Sequence, residues 1–205
     1  EGEEFVQDCR SFFVSENNQR TTFYELRALF NSTEDKRLKA RLFVYLNKHC
    51  FNGLCRYNAK GKFNTPFGAY KKPYFPEKEM LFFYQKAKQA VFKCADFLMA
   101  MNEAKVGDVV YCDPPYVPLS KTANFTSYSA DGFDQDRQIL LAKMANQLSV
   151  RGIPVIISNH DTSFTRYLYA GASILDFPVQ RFISCDGKKR QKAGELLAVF
   201  QHSVL

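Results

Sequence analysis

Apolar positions in this chain follow two different rhythms. In residues 1–48 they recur at helical spacing: Phe5, Cys9, Phe12 and Phe13, then Phe23, Leu26, Leu29 and Phe30, then Leu38, Leu42, Val44, Tyr45 and Leu46. Positions three and four apart share one side of a helix, so this stretch predicts two or three helices. Residues 51–74 are short-phrased, aromatic and punctuated by Gly and Asn. There Asn58-Ala-Lys-Gly61 reads as a turn between extended segments at 54–57 and 62–65, a small hairpin or structured loop. Residues 76–88 return to helix, opened by Pro76 with Glu77 and Glu79 in the first turn, where negative charge suits the helix dipole.

After Gly107 the pattern becomes α/β. A buried strand is expected over 108–112, then a loop to Gly132 and a helix over about 134–150 with Leu140, Met144 and Leu148 on one face. A second buried strand follows at 153–158, and strand, crossover helix and strand imply a parallel pair. A short helix at 162–169 and strands at 172–177 and 195–201, antiparallel at a sheet edge, complete the reading. The division expected is a mainly helical domain over 1–90 with a hairpin near 54–67, followed by a sheet-bearing domain over 91–205.

Composition narrows the function classes. With 205 residues and 46% hydrophobic content the chain has ample apolar material for a packed core. Its net charge of +7 favours a polyanionic partner such as nucleic acid without establishing one. The six cysteines form no C-x-x-C pair and have no histidine at zinc-finger spacing, so they read as reduced thiols and no metal site is expected. No apolar run reaches the roughly 18–20 residues of a membrane span, and no signal segment opens the chain. The expectation is a cytoplasmic protein with no membrane association. The chain does not begin with Met, and residues 1–14 read as the middle of a helical region, so a fragment is expected.

The segment richest in chemistry is Val109-Val-Tyr-Cys-Asp-Pro-Pro-Tyr116, an apolar strand ending in an acid, two prolines and an aromatic. Ligand crevices in α/β sheets lie beyond the carboxyl ends of strands. Proline has no backbone donor and a fixed φ, so Pro114 and Pro115 stiffen the loop and leave the carbonyls of Asp113 and Pro114 without strand partners. A carboxylate, a free carbonyl and a ring make a receptor for an exocyclic amino group on a flat base: Asp113 and the Pro114 carbonyl would accept the two hydrogens, and Tyr116 would stack. The same four residues also suit an ordinary strand-ending turn with Asp as a cap and Tyr as packing.

Strand plus Asp113-Pro-Pro-Tyr116 resembles motif IV of the amino-group DNA methyltransferases, which use S-adenosylmethionine. Phe51-Asn-Gly-Leu-Cys-Arg-Tyr-Asn58, Phe63-Asn-Thr-Pro-Phe-Gly68 and Tyr70-Lys-Lys-Pro-Tyr-Phe75 are similar to the target-recognition segment of the Dam-type enzymes that methylate adenine in GATC. Ala123-Asn-Phe-Thr126 and Ile157-Ser-Asn-His-Asp161 match that group as well. The resemblance implies the C-terminal part of a Rossmann-like methyltransferase sheet joined to a helical recognition domain. It implies double-stranded DNA as partner and S-adenosyl-L-methionine as co-substrate, with Asp113, Pro114, Pro115 and Tyr116 as the catalytic loop and Asp113 also toward the donor. Leu54, Arg56, Pro66 and Tyr70 become base-contacting positions, and Arg56 has the fork that guanine O6 and N7 accept. Phe51 corresponds to an aromatic wedge, Phe here where relatives carry Tyr, and Asn52 meets the base left unpaired. Asn58, Asn64, Lys71 and Lys72 would hold phosphates, and the loop at 120–132, with Ser120 and Asn124, would close over DNA. His160 invites a catalytic reading, although a hydrogen-bonded structural histidine is the commoner use. The basic run 188–192 suits either phosphate contact or a solvated hairpin tip.

The chain departs from the family at the donor end. No two of its ten glycines are closer than seven positions, so it has no Gly-x-Gly loop. The expectation is a 205-residue piece inactive alone, with an unpaired sheet edge inviting dimerisation or strand exchange. A DNA-binding module without catalysis stays open as an alternative, as does a methyltransferase acting on RNA or a protein amide.

Overall fold

The computed structural model describes residues 2–119, 133–180 and 192–201. The chain forms two compact units, residues 1–93 and 94–205. The expected lid at 120–132, with Ser120 and Asn124, and most of the basic run, 188–191, lie outside the described residues.

In the first unit helices α1 (Gly2–Arg10), α2 (Arg20–Ser32) and α3 (Lys36–His49) realise the period read in residues 1–48, and α4 (Glu77–Ala87) follows Pro76. Asp35 caps α3 by accepting from the backbone N–H of Arg37 (2.9 Å) and Leu38 (3.1 Å). The core joins Phe23 and Phe30 of α2 to Leu42, Tyr45 and Leu46 of α3, with Cys50 and Phe63 from the chain beyond. Each fully buried side chain of this size stabilises the fold by about 1.5–3 kcal/mol relative to exposure.

The segment after α3 is not the regular hairpin expected. Antiparallel bridges join Tyr57 to Phe63 and Cys50 to Phe67, with no continuous strand between them. Thr65 explains the interruption: its hydroxyl donates to the Leu54 carbonyl (2.6 Å) and accepts from the Arg56 N–H (3.3 Å), so a side chain replaces ladder bonds. Helix α2 supplies other missing partners. Asn31 brackets Phe63, donating to its carbonyl (3.0 Å) and accepting from its N–H (2.8 Å), and Arg27 donates to the Thr65 carbonyl (3.0 Å). The loop is thereby bonded to a helical platform.

The second unit holds a four-stranded sheet in the order β1-β2-β4-β3, with β1 Val110–Cys112, β2 Val155–His160, β3 Ser173–Gln180 and β4 Lys192–Phe200. β1 and β2 are parallel, and β4 runs antiparallel between β2 and β3. Helices α5 (Phe97–Asn102), α6 (Gln135–Val150) and α7 (Ser163–Leu168) complete it. β1 starts two residues later than expected, because Asp108 closes a turn onto Lys105 through its backbone N–H and its carboxylate. β2 likewise begins at Val155 and extends through His160, so Ser158, Asn159 and His160 end the strand rather than follow it. On α6 the buried residues are Gln138, Leu141, Ala142, Ala145, Leu148 and Ser149. The inward face is thus rotated from the Leu140, Met144, Leu148 stripe, and Gln138 is the polar residue whose bonds orient it.

Candidate functional site

The parallel pairing of β1 and β2 sets Cys112 beside Ile157, so the residues after each strand emerge at one edge. Asp113 leaves β1 exposed, Pro114 is buried, and Pro115 and Tyr116 are half-buried. Ser158 reaches across from β2. Its hydroxyl donates between the Asp113 carboxylate (3.0 Å) and the Cys112 carbonyl (3.3 Å), and accepts from the Tyr111 hydroxyl (3.2 Å). The carboxylate is oriented by one neutral donor and keeps accepting capacity toward solvent. Among the described residues the carbonyls of Asp113 and Pro114 receive no hydrogen bond.

Asn159 fixes the rest of the loop. It is fully buried; its Oδ1 accepts from the N–H of Val117 (2.9 Å) and of His160 (2.9 Å), and its Nδ2 donates to Gln138 Oε1 (3.1 Å) and the Tyr169 hydroxyl (3.1 Å). Gln138 Nε2 in turn donates to the Pro115 carbonyl (2.8 Å). Both ends of the Pro115–Tyr116–Val117 step are therefore tied to the sheet and α6. Burial pushes the Tyr169 phenol up to about 12, so it serves this network protonated.

His160 donates through Nδ1 to the Val117 carbonyl (2.7 Å), and its ring meets Tyr116 edge-on with centroids 4.9 Å apart. These two contacts set it against the aromatic ring of the loop. Burial raises the Tyr116 phenol above its usual range. Gln138 and Tyr169 escaped the sequence reading, and Ser158, part of the matching run 157–161, had no role in it. A glutamine within the apolar stripe of α6 and a serine and asparagine inside an apolar strand were the available signals.

In the first unit the loop presents a separate surface. Phe51 is 49% exposed at the tip of a 3-10 turn, Phe51–Gly53, that carries positive φ at Asn52 (51°) and Gly53 (63°). The Asn52 N–H donates to the Tyr70 hydroxyl (2.9 Å), and the Phe51 N–H donates to the carbonyl of exposed Pro66 (2.9 Å). Leu54 is half-buried beside exposed Arg56. The chain approaches so closely at Gly68 that a Cβ there would lie 2.8 Å from the Cys50 carbonyl oxygen.

Arg56 does not wave free. Its Nε donates to Asn64 Oδ1 (2.8 Å) and its Nη2 to the Asn64 carbonyl (3.1 Å), leaving the outer end of the guanidinium open. Asn58 spends its Oδ1 on the Lys60 (2.9 Å) and Lys62 (3.0 Å) N–H groups, closing the turn. Both asparagines thus have an intraloop task, and their Nδ2 groups stay available. Tyr70, Lys71 and Lys72 are exposed along the same segment. Among the described residues no three His, Cys, Asp or Glu side chains converge as a metal site, and no helix is long and apolar enough to cross a membrane.

Comparison with known proteins agrees with this arrangement. The family model for the D12 class of N6 adenine-specific DNA methyltransferases matches residues 1–183. Proteins named DNA adenine methylase are similar to nearly the whole chain. The one from Serratia marcescens is 49% identical over 200 residues, 97% of this chain and 74% of the relative. The Vibrio cholerae serotype O1 protein is 48% identical over 201 residues, covering 98% and 73%. That of Escherichia coli strain K12 is 48% identical over 203 residues, covering 99% and 73%. With this match and a strand-end Asp-Pro-Pro-Tyr loop held by a buried polar network, the chain belongs to the D12 class of N6 adenine-specific DNA methyltransferases, a family of transferases.

Proposed function

We propose that this protein serves the methylation of adenine N6 in double-stranded GATC, with S-adenosyl-L-methionine as donor and the target base turned out of the duplex, these 205 residues supplying the DNA recognition and the loop that receives the base. The observation that carries the reading is the β1 end, where an exposed carboxylate and two carbonyls that receive no hydrogen bond among the described residues stand beside a half-buried tyrosine. Asp113 and the Pro114 carbonyl accept the two N6 hydrogens, which draws the nitrogen lone pair out of ring conjugation. Tyr116, steadied by His160, stacks on the base. The donor supplies an electrophilic methyl when bound; Asp113 is the described residue whose chemistry fits its cationic end. Pro115 does no bonding to substrate here and acts by holding the loop rigid, since its carbonyl is committed to Gln138.

In this reading residues 1–90 read DNA and residues 91–205 carry the chemistry. Arg56 presents its open fork to guanine, Leu54, Pro66 and Tyr70 meet other bases, and Phe51 fills the vacated stack with Asn52 beside it. Asn58, Asn64, Lys71 and Lys72 hold phosphates through the donors that the loop leaves available.

The test is duplex binding and tritiated-methyl transfer measured together, with a GATC oligonucleotide and one altered at the guanine. GATC-selective binding with methyl recovered on adenine N6 establishes the proposal. Selective binding with neither donor binding nor transfer leaves a DNA reader. Equal binding to both duplexes removes the recognition claim.

A further inference from the structure

The first unit contains a cavity of about 480 Å³ whose rim shares Lys71 and Lys72 with the proposed phosphate contacts and whose interior neither recognition nor methyl transfer uses. Arg10, Lys71 and Lys72 stand around it, Phe13, Tyr74 and Phe75 give it aromatic walls, and no carboxylate lines it. Arg10 is held by an ion pair with Glu77 and lies 5.0 Å from the centre of the Phe75 ring. Among the described residues Lys71 and Lys72 make no ion pair.

Two acceptors of this lining receive no hydrogen bond among the described residues. His49 is 1% exposed and its Nδ1 lies 2.8 Å from the Tyr45 carbonyl, which only accepts, so the proton sits on Nδ1. Burial holds the ring below its ordinary pKa, which keeps it neutral and makes Nε2 a bare acceptor. Asn18 donates through Nδ2 to the carbonyls of Tyr70 (2.8 Å) and Lys71 (3.5 Å), while its buried Oδ1 has no partner. A buried acceptor left unpaired costs about 1–3 kcal/mol, which applies to Asn18 Oδ1. His49 Nε2 offers an acceptor on the cavity lining, and an occupant with donors suits both.

Cations at the rim, acceptors within and flat aromatic walls specify a ligand that is anionic at one end, planar, and furnished with N–H or O–H donors. We propose that this cavity binds a nucleoside monophosphate, its phosphate against Lys71, Lys72 and Arg10 and its amino or hydroxyl donors on His49 Nε2 and Asn18 Oδ1. The volume lies in the range of small-ligand sites. Asn18 joins the occupant to Tyr70 and Lys71, so binding would also reach the segment proposed to contact DNA.

The experiment is calorimetric titration of the whole chain, without DNA, using adenosine monophosphate, adenosine and inorganic phosphate as separate probes. It is paired with nitrogen-15 NMR of the His49 ring. The expected result is adenosine monophosphate binding at least ten-fold tighter than either probe alone, with a shift of the His49 Nε2 resonance. Ser15→Tyr fills the cavity from an exposed position outside the DNA-reading residues, and should abolish this binding while GATC duplex binding and the thermal melt stay unchanged. Arg10→Gln should weaken it at least ten-fold. No binding at millimolar nucleotide, equal affinity for inorganic phosphate, an unmoved His49 resonance, or undiminished binding by Ser15→Tyr would each overturn the proposal. The titration contains no DNA, so a failure of the GATC reading leaves its outcome intact.

Discussion

Asn159 satisfies every donor and acceptor it has without touching water, and the site loop depends on that. Replacing it with Leu strands the Val117 N–H and the Gln138 amide in the interior. The expected loss is about 2–3 kcal/mol of unfolding free energy, read from urea denaturation. Arg56 poses the same question at the DNA surface. If Asn64 aims the guanidinium, Asn64→Ala should reduce discrimination between GATC and a guanine-altered duplex by about 1 kcal/mol, whereas a pure phosphate contact would weaken both duplexes equally. His49 adds a pH signature. Its folded pKa lies below the ordinary 6.5, so the unfolded chain takes up the proton first as pH falls. Stability should be full above that value and decline below it, and the decline between pH 7.5 and 5.5 should be smaller in His49→Gln. The Asp-Pro-Pro-Tyr loop was legible at this scale because a strand followed by those four residues is a local pattern. Ser158 and Gln138 were not, since each acts on the loop from a distant part of the chain.

Caps and interruptions decide the elements. Asp134 accepts from the Arg137 N–H at 2.9 Å and opens α6, as Asp35 opens α3. Asp134→Ala and Asp35→Ala should each cost about 1 kcal/mol, seen as a lowered denaturation midpoint with an unchanged slope. Helical spacing marked the helices of residues 1–48, Pro76 with its acidic first turn marked α4, and α6 and α7 were placed where Asp134 and Thr162 cap them. The start of β1 and both ends of β2 moved by two residues, since a turn at Lys105–Asp108 and a bonded strand end at Ser158–His160 depend on partners elsewhere. The ends of β3 and β4 differ from expectation by one to three residues. The hairpin turn at residues 58–61 was legible, with Tyr57 and Phe63 paired across it, but its pairing is shorter than expected for a related reason: Thr65 and Asn31 take over ladder bonds, and propensity does not register side chains acting as backbone.

For the molecule as a whole, the net charge of +7 predicts duplex binding that weakens steeply with salt. If Lys71 and Lys72 each neutralise one phosphate, removing both should lower the slope of log affinity against log salt by about 1.8, without changing preference for GATC. Sheet order was only partly readable, because the insertion of β4 between β2 and β3 is set by long-range pairing that no local pattern encodes. That insertion also dictates a timetable. The strand bearing Ser158 and Asn159 acquires its antiparallel neighbour only from residues 192–200, so during synthesis the segment that orients Asp113 waits for a partner some forty residues downstream. The edge that carries the Asp-Pro-Pro-Tyr loop is then among the last features to mature, and ribosomal pausing before that partner emerges would hold a nascent protein whose helical first half can already be native while the proposed site is still unassembled.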